Sequence, residues 1–289
     1  MHEPPAARPN IYRDPPSTSR LSVVEQPLGF WERAWNTGFV RKALLLVVLA
    51  VVWQLYAQRL NNPLLIPTFL DTLQAFRDAI ATGGLLGKAW YSIKILLIGY
   101  ACGLALAALL TMLAITSRVG TDLLETLTAM FNPLPAIALL PLALIWFGLG
   151  TGSLVFVLIH SVLWAVALNT HSGFLSVSNT LRMVGRNYGL RGLPYVAKIL
   201  VPAAFPSILT GLKVGWAFAW RTLIAAELVF GVSSGSGGLG WFIYENKNQL
   251  EIASVFAGLF SVILIGLAVE NFVFRSIAAR TVERWGMQG

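Results

Sequence analysis

Few residues in this chain are equipped for chemistry, and their spacing narrows what that chemistry is. His160 and His171 stand eleven residues apart on one predicted helix, about 16 Å along its axis, too far to share a metal ion. There is no HxxxH or HExxH pattern and no cluster of histidines with carboxylates, so neither a metal nor a hydrolytic centre is expected. Gly87-Lys88 comes nearest to a phosphate-binding loop. That pattern needs glycine at 82 and Ser or Thr at 89, where this chain has Thr82 and Ala89; no ATP site is expected. Residues 235–240 (GSGGLG) fit GxGxxG, which holds a dinucleotide only between a strand and a helix. Here the motif lies between two apolar runs and reads as part of a flexible loop over 231–240. Cys102, the single cysteine, reads as a small apolar packing residue.

What remains is charge in apolar surroundings. Arg221 and Glu227 sit deepest in a hydrophobic run. Ionisable groups within a bilayer are costly and face a bundle interior or a water path. Being six residues apart, they point to different sides of one helix. Two readings are open: Arg221 attracts an anionic solute, or it pairs with Glu227 or Glu270 of another helix or subunit. Glu270, near the end of the last run, reads as structural. Trp146, Trp164, Trp216 and Trp220 either line a pathway or pack, as aromatic side chains in membrane helices commonly do.

The elements that must carry these residues are membrane spans. Of 289 residues, 56% are hydrophobic and 12% are charged, against about 25% charged in a soluble domain. At about 20 apolar residues per span the chain accommodates six, expected near residues 43–58, 89–115, 126–147, 154–173, 208–230 and 252–274. Residues 126–181 hold no Asp, Glu, Lys or Arg and supply the third and fourth spans, divided at FGLGTGS over 147–153. Asn132-Pro133-Leu134-Pro135 interrupts the third span, and backbone that irregular must face protein or a water-filled cavity. Residues 68–81 have the spacing of a surface helix. Residues 1–29 are polar and proline-rich and are expected to be a disordered tail; 30–42 read as an interfacial amphipathic segment, and 43–289 as the transmembrane domain.

The net charge of +8 does not point to nucleic acid, because the basic residues gather at the ends of apolar runs. Arg8, Arg13, Arg20, Arg33, Arg41 and Lys42 precede or abut the first, and Arg275, Arg280 and Arg284 follow the last. Lysine and arginine mark cytoplasmic segments, so both termini and the segment over 178–206 are expected inside. That segment carries Arg182, Arg186, Arg191 and Lys198 without an acid. Ser178 or Asn179 can cap a short helix running to about Tyr188, Gly189 suits its left-handed terminus, and Pro194 suits the first turn of a second helix that Pro202 and Pro206 close. A platform of this kind could take a push from another protein.

The same segment resembles the cytoplasmic loop of bacterial ABC-importer permeases, whose pattern is Glu-Ala-Ala, three residues, Gly, nine residues, Ile, any residue, Leu-Pro. On this chain the pattern falls on Met183-Val184-Gly185, Gly189, Ile199, Val201 and Pro202. Glycine, isoleucine and proline match, Val201 is conservative, and Glu-Ala-Ala is absent. Residues 132–150 resemble the third-span signature of the nitrate/sulfonate/taurine/bicarbonate group. Asn169-Thr170 with Gly173, Leu209-Thr210-Gly211-Leu212, Ala225-Ala226-Glu227 and residues 237–240 resemble its later segments. The resemblance implies an all-α, type I importer permease of about six spans in the bacterial inner membrane. It implies a second permease copy, two ATPase subunits that bind the ATP and Mg, a periplasmic or lipid-anchored solute-binding protein, and no cofactor in this chain itself. ATPase coupling then falls to Arg182, Met183, Val184, Gly185, Arg186, Gly189, Ile199 and Pro202. The translocation path falls to Arg221, Trp220, Glu227, Asn169 and Trp146. The competing expectation is an ion-coupled secondary transporter or channel, which would need several intramembrane acids; Glu227 and Glu270 are the two available.

Overall fold

The computed structural model describes residues 29, 32, 35–230 and 237–286. Among them the chain is helical and has no strand. The expected tail up to residue 28, residues 30, 31, 33 and 34 of the expected interfacial segment, and residues 231–236 of the expected glycine-rich loop lie outside the described residues. The chain divides into two units, Met1–Val51 and Val52–Gly289. The first contributes the exposed start of α1 (Gly38–Leu60). The second holds the end of α1 and everything that follows.

Among the described residues, four helices are long and apolar enough to cross a membrane: α1, α3 (Leu85–Thr116), α6 (Thr151–Ser176) and α11 (Ile252–Glu283). Two bent pairs complete six if each pair is one span. One joins α4 (Arg118–Phe131) to a 3₁₀ turn and α5 (Leu140–Phe147) with a bend of 87°. The other joins α8 (Gly192–Ala203) to α9 (Phe205–Phe230) with a bend of 78°. Between α1 and α3 lies α2 (Phe69–Ala81), begun by a full capping box in which Thr68 and Asp71 bond each other's backbone amides, an arrangement that satisfies two otherwise orphaned donors.

The second unit is built around α6. Helix α3 runs parallel to it and presents Gly99 and Gly103, where a Cβ would come within 2.5 Å of Leu158 Cβ and 2.7 Å of Val162 Cβ. Helix α9 runs antiparallel on another side and presents Gly211 and Gly215, where a Cβ would approach Asn169 Cβ to 2.9 Å and Val166 Cγ2 to 3.0 Å. Small residues four apart let backbones close in, and in lipid, where apolar side chains gain nothing by leaving the solvent, close packing drives helix association. Val157, Leu158, Val162 and Ala167 of α6 are accordingly buried. Helix α11 joins by Trp220 Nε1–H donating to the Val262 carbonyl at 3.2 Å and by a Lys213–Glu270 ion pair at 3.4 Å.

Several boundaries differ from the sequence expectation. Helix α4 starts at Arg118, because Ser117 Oγ accepts from the Gly120 amide at 2.9 Å and starts a new helix within one residue of the end of α3. Pro202 does not close α8, which runs to Ala203; with no amide at 202 to bond the preceding turn, the helix widens to a π turn over Val196–Leu200 and breaks at Ala204. The loop expected over 231–240 gives way at Leu239 to a helix unread in the sequence, α10 (Leu239–Asn248).

Candidate functional sites: a basic platform and an arginine-lined cavity

The platform begins where α6 ends. Val177 is extended, Ser178 Oγ accepts from the Leu181 amide at 3.4 Å, and α7 (Asn179–Asn187) follows. Its far end is a Schellman turn: Gly189 takes φ 72°, its amide donates to Arg186, and the Leu190 amide donates to Gly185. A left-handed residue closing two orphan carbonyls in this way favours glycine. Gly185 is buried under α8, where a Cβ would stand 2.9 Å from both Ile199 Cγ1 and Tyr195 Cε2. Beneath the platform, Phe174, Val177, Val196, Leu200 and Ala204 form a separate apolar cluster, joined by Met112 and Ile115 of α3. It therefore rests on the ends of α3 and α6.

The docking candidates fall into two sets. Met183, Val184, Arg186 and Gly189 are exposed. Gly185, Ile199 and Pro202 are buried or half-buried, and Gly185 packs under Ile199 and Tyr195 to hold α7 against α8. Arg182, read from the sequence as an outward docking charge, is turned inward: its guanidinium donates to the Phe174 carbonyl at 2.6 Å and the Val177 carbonyl at 3.0 Å. The last carbonyls of a helix lack intrahelical partners and carry partial negative charge, so an arginine five to eight residues downstream is well placed to take them.

The second site is a cavity of about 400 Å³ between the 132–137 turn, α6 and α9, lined among others by His160, Ser161, Trp164, Phe218, Arg221 and Thr222. The turn expected to face a cavity does line one. Its two prolines cannot donate to a helical ladder, and that opens the bend. Phe131 stacks on Trp164 at 5.5 Å and meets His160 edge-on at 6.4 Å. Arg221 Nε donates to the Ala217 carbonyl at 3.1 Å, and its guanidinium carbon lies 5.1 Å over the Phe218 ring.

Of the five residues assigned to the path, Arg221 alone lines this cavity, joined by Trp164 of the four tryptophans weighed for it. Trp220 is buried against Val262, Asn169 Nδ2 donates to its own helix at Ala165, and Trp146 is exposed with its ring edge-on to Phe156. Glu227 is held elsewhere: Ser92 Oγ–H donates to its carboxyl, with contacts of 2.8 and 2.9 Å, and the Gly240 amide donates at 2.8 Å. The Leu239 amide donates to Ser92 Oγ at 2.9 Å, so Glu227 and Ser92 cap the start of α10. Within this chain, Arg221 pairs with neither Glu227 nor Glu270. The sequence reading missed His160, Ser161, Phe218 and Thr222 as lining residues. Their signal was helical period: His160 and Trp164 are one turn apart on α6, and Phe218, Arg221, Thr222 and Ala225 follow one face of α9.

A bundle of membrane helices, an organised basic platform and a solute-sized cavity define a membrane transport subunit. Residues 96–282 match the family model described as the binding-protein-dependent transport system inner membrane component, and the chain belongs to that family, as a multi-pass inner-membrane protein. A putative ABC transporter permease of Methanocaldococcus jannaschii is 32% identical over 236 residues, 80% of this chain and 87% of that one. The putative aliphatic sulfonates transport permease protein SsuC of Bacillus subtilis is 27% identical over 93% of this chain and 94% of its own length. The nitrate import permease protein NrtB of Synechocystis is 28% identical over 86% and 90%. The chain resembles the ABC permeases of the nitrate and sulfonate group in its membrane helices and along most of its length.

Proposed function

We propose that this chain is the transmembrane permease of an ABC importer for a small anionic solute, with both termini on the cytoplasmic side. A second copy completes the pathway, two separate ATPase subunits bind ATP and Mg and dock on the platform, and a solute-binding protein delivers from outside. Closure of the ATPases pushes the platform, and the helices switch between inward-open and outward-open arrangements by rigid-body motion.

The observation that carries this reading is the continuity from platform to cavity. Met183, Val184 and Arg186 face outward on α7, Arg182 ties α7 to the end of α6, and α6 brings His160, Ser161 and Trp164 to the cavity wall. A displacement of α7 is thereby passed to the helix that shapes the solute site. The competing secondary-transporter reading needs free membrane acids. Glu227 is engaged by Ser92 and Gly240, and Glu270 by Lys213.

The test is reconstitution in proteoliposomes with the cognate ATPase and solute-binding protein. Uptake that requires both proteins and hydrolysable ATP is expected. Uptake at the same rate without ATP, by a permease that purifies with no ATPase, refutes the reading.

A further inference from the structure

The relatives are named for both sulfonates and nitrate, so family membership does not say what the cavity holds. Its size bears on the question first. One water takes about 30 Å³ of liquid volume, and an inorganic oxyanion fills only two or three such shares, whereas this cavity offers about 400 Å³.

Charge comes second. Arg221 is the one permanently charged residue in the lining, and no carboxylate lines it. Among the described residues no acid lies within ion-pair distance of Arg221, and with Nε spent on Ala217 its terminal nitrogens carry the charge into the site.

Hydrogen-bonding capacity comes third. Ser161 Oγ–H donates to Thr222 Oγ1 at 3.0 Å and leaves that pair largely satisfied. Trp164 is only 7% exposed, yet its Nε1–H has no partner, and neither ring nitrogen of His160 has one. A buried donor without an acceptor is costly, but these nitrogens have essentially no surface open to water, so a ligand in the cavity meets Arg221 and the apolar wall rather than them. Asn132 adds one polar amide, and the rest of the wall is apolar: Pro133, Leu134, Pro135, Ala136, Ile137, Phe218 and Ala225.

We infer that the cavity takes an organic monoanion, its sulfonate or carboxylate against Arg221 and its apolar body between Trp164 and the 133–137 turn, in preference to a bare inorganic oxyanion or a zwitterion. The inference rests on the permease reading and sharpens it. Nitrate would leave the apolar wall wet, and an aminosulfonate would bring an ammonium that meets no acid among the described lining residues of this chain. An apolar body displaces water from the wall and gains the burial term.

The experiment uses the purified full-length permease in lipid nanodiscs, with saturation-transfer NMR on the ring protons of benzenesulfonate as probe and with nitrate and 2-aminoethanesulfonate as competitors. Benzenesulfonate is expected to bind, and each competitor to displace it only at concentrations at least about tenfold above those at which an arene carboxylate does so. Arg221→Gln is expected to abolish the saturation signal, and Ala225→Leu, which fills the apolar side, to block benzenesulfonate as well. Should either variant elute as aggregate, the wild-type displacement order decides alone. Equal displacement by nitrate or the aminosulfonate, no binding of benzenesulfonate, or a signal indifferent to a well-folded Arg221→Gln overturns the inference. The proteoliposome assay separates the two failures: ATP-driven uptake with the wrong displacement order sinks this inference alone, whereas ATP-independent uptake sinks the importer reading beneath it.

Discussion

Glu227 shows at the level of one residue how a costly group becomes structural. Its side chain is buried in an apolar helix, where an unpaired polar group is heavily penalised. Ser92 reaches it from α3, the Gly240 amide reaches it from the start of α10, and Ser92 in turn accepts from Leu239. A Cβ at Gly238 would fall within 2.2 Å of both Glu227 Oε1 and Ser92 Oγ, and one at Gly240 within 2.6 Å of the Ile224 carbonyl, so the glycines admit the carboxyl to the backbone. Glu227→Ala strands the Ser92 hydroxyl and the Gly240 amide together and should cost about 2–4 kcal/mol. Glu227→Gln keeps an acceptor for one of them and should cost less. Thermal unfolding in detergent reads both; a Glu227→Ala protein as stable as wild type removes the residue from this role. The sequence marked Glu227 as an expensive membrane acid, but its partner is one serine 135 positions away and a backbone amide. Neither has a signature in side-chain pattern, which is why the sequence reading left Glu227 as one possible partner of Arg221 across another helix or subunit.

At the scale of elements, the runs of apolar residues and their breaks were legible because the bilayer imposes them. Length gave the spans, prolines gave the 132–135 interruption, and the sequence Ser-Asn to Tyr-Gly gave α7 with both caps. What was not legible is contact between helices. The glycines of α3 and α9 matter only once α6 lies against them, and α10 was hidden because a ten-residue helix opening on Gly238-Leu239-Gly240 reads as a loop until its partners Glu227 and Ser92 are known. The close approach gives a clean contrast between glycines of the same helix. Gly103→Ala puts a methyl 2.7 Å from Val162 Cβ and 3.3 Å from the Ile159 carbonyl, whereas at Gly87 a Cβ meets nothing within 4 Å. Overpacking of this kind costs about 1–3 kcal/mol. The Gly103→Ala protein should therefore give a lower monodisperse yield and a lower unfolding temperature on fluorescence-detected size exclusion, while Gly87→Ala should match wild type. Equal behaviour of the two would mean that α3 and α6 do not pack along this face.

At the scale of the whole molecule, the proposed importer function requires that a push on the platform reach the cavity within the membrane. The platform separates two tasks that the sequence reading had placed together in one coupling segment. Arg186 is exposed on α7 and free to meet another protein. Arg182 is bound to the carbonyls of Phe174 and Val177 and serves the joint between α7 and α6. Gly185, under Tyr195 and Ile199, keeps α7 and α8 together, so a push on α7 moves both. Arg186→Glu should therefore weaken co-purification of the ATPase, by about tenfold in affinity for a lost exposed charge contact at an interface, without lowering the unfolding temperature of the permease. Arg182→Ala should leave ATPase affinity within about twofold but loosen the joint, lowering the unfolding temperature and raising the number of ATP molecules hydrolysed per solute imported. Proteoliposomes loaded with ATP and labelled solute measure that ratio directly. If Arg182→Ala instead releases the ATPase and Arg186→Glu retains it, the roles are reversed and the joint is not the path of the force. If both variants keep wild-type affinity and coupling, the exposed apolar side chains of Met183 and Val184 carry the contact, and the arginines serve only to hold the segment on its side of the membrane.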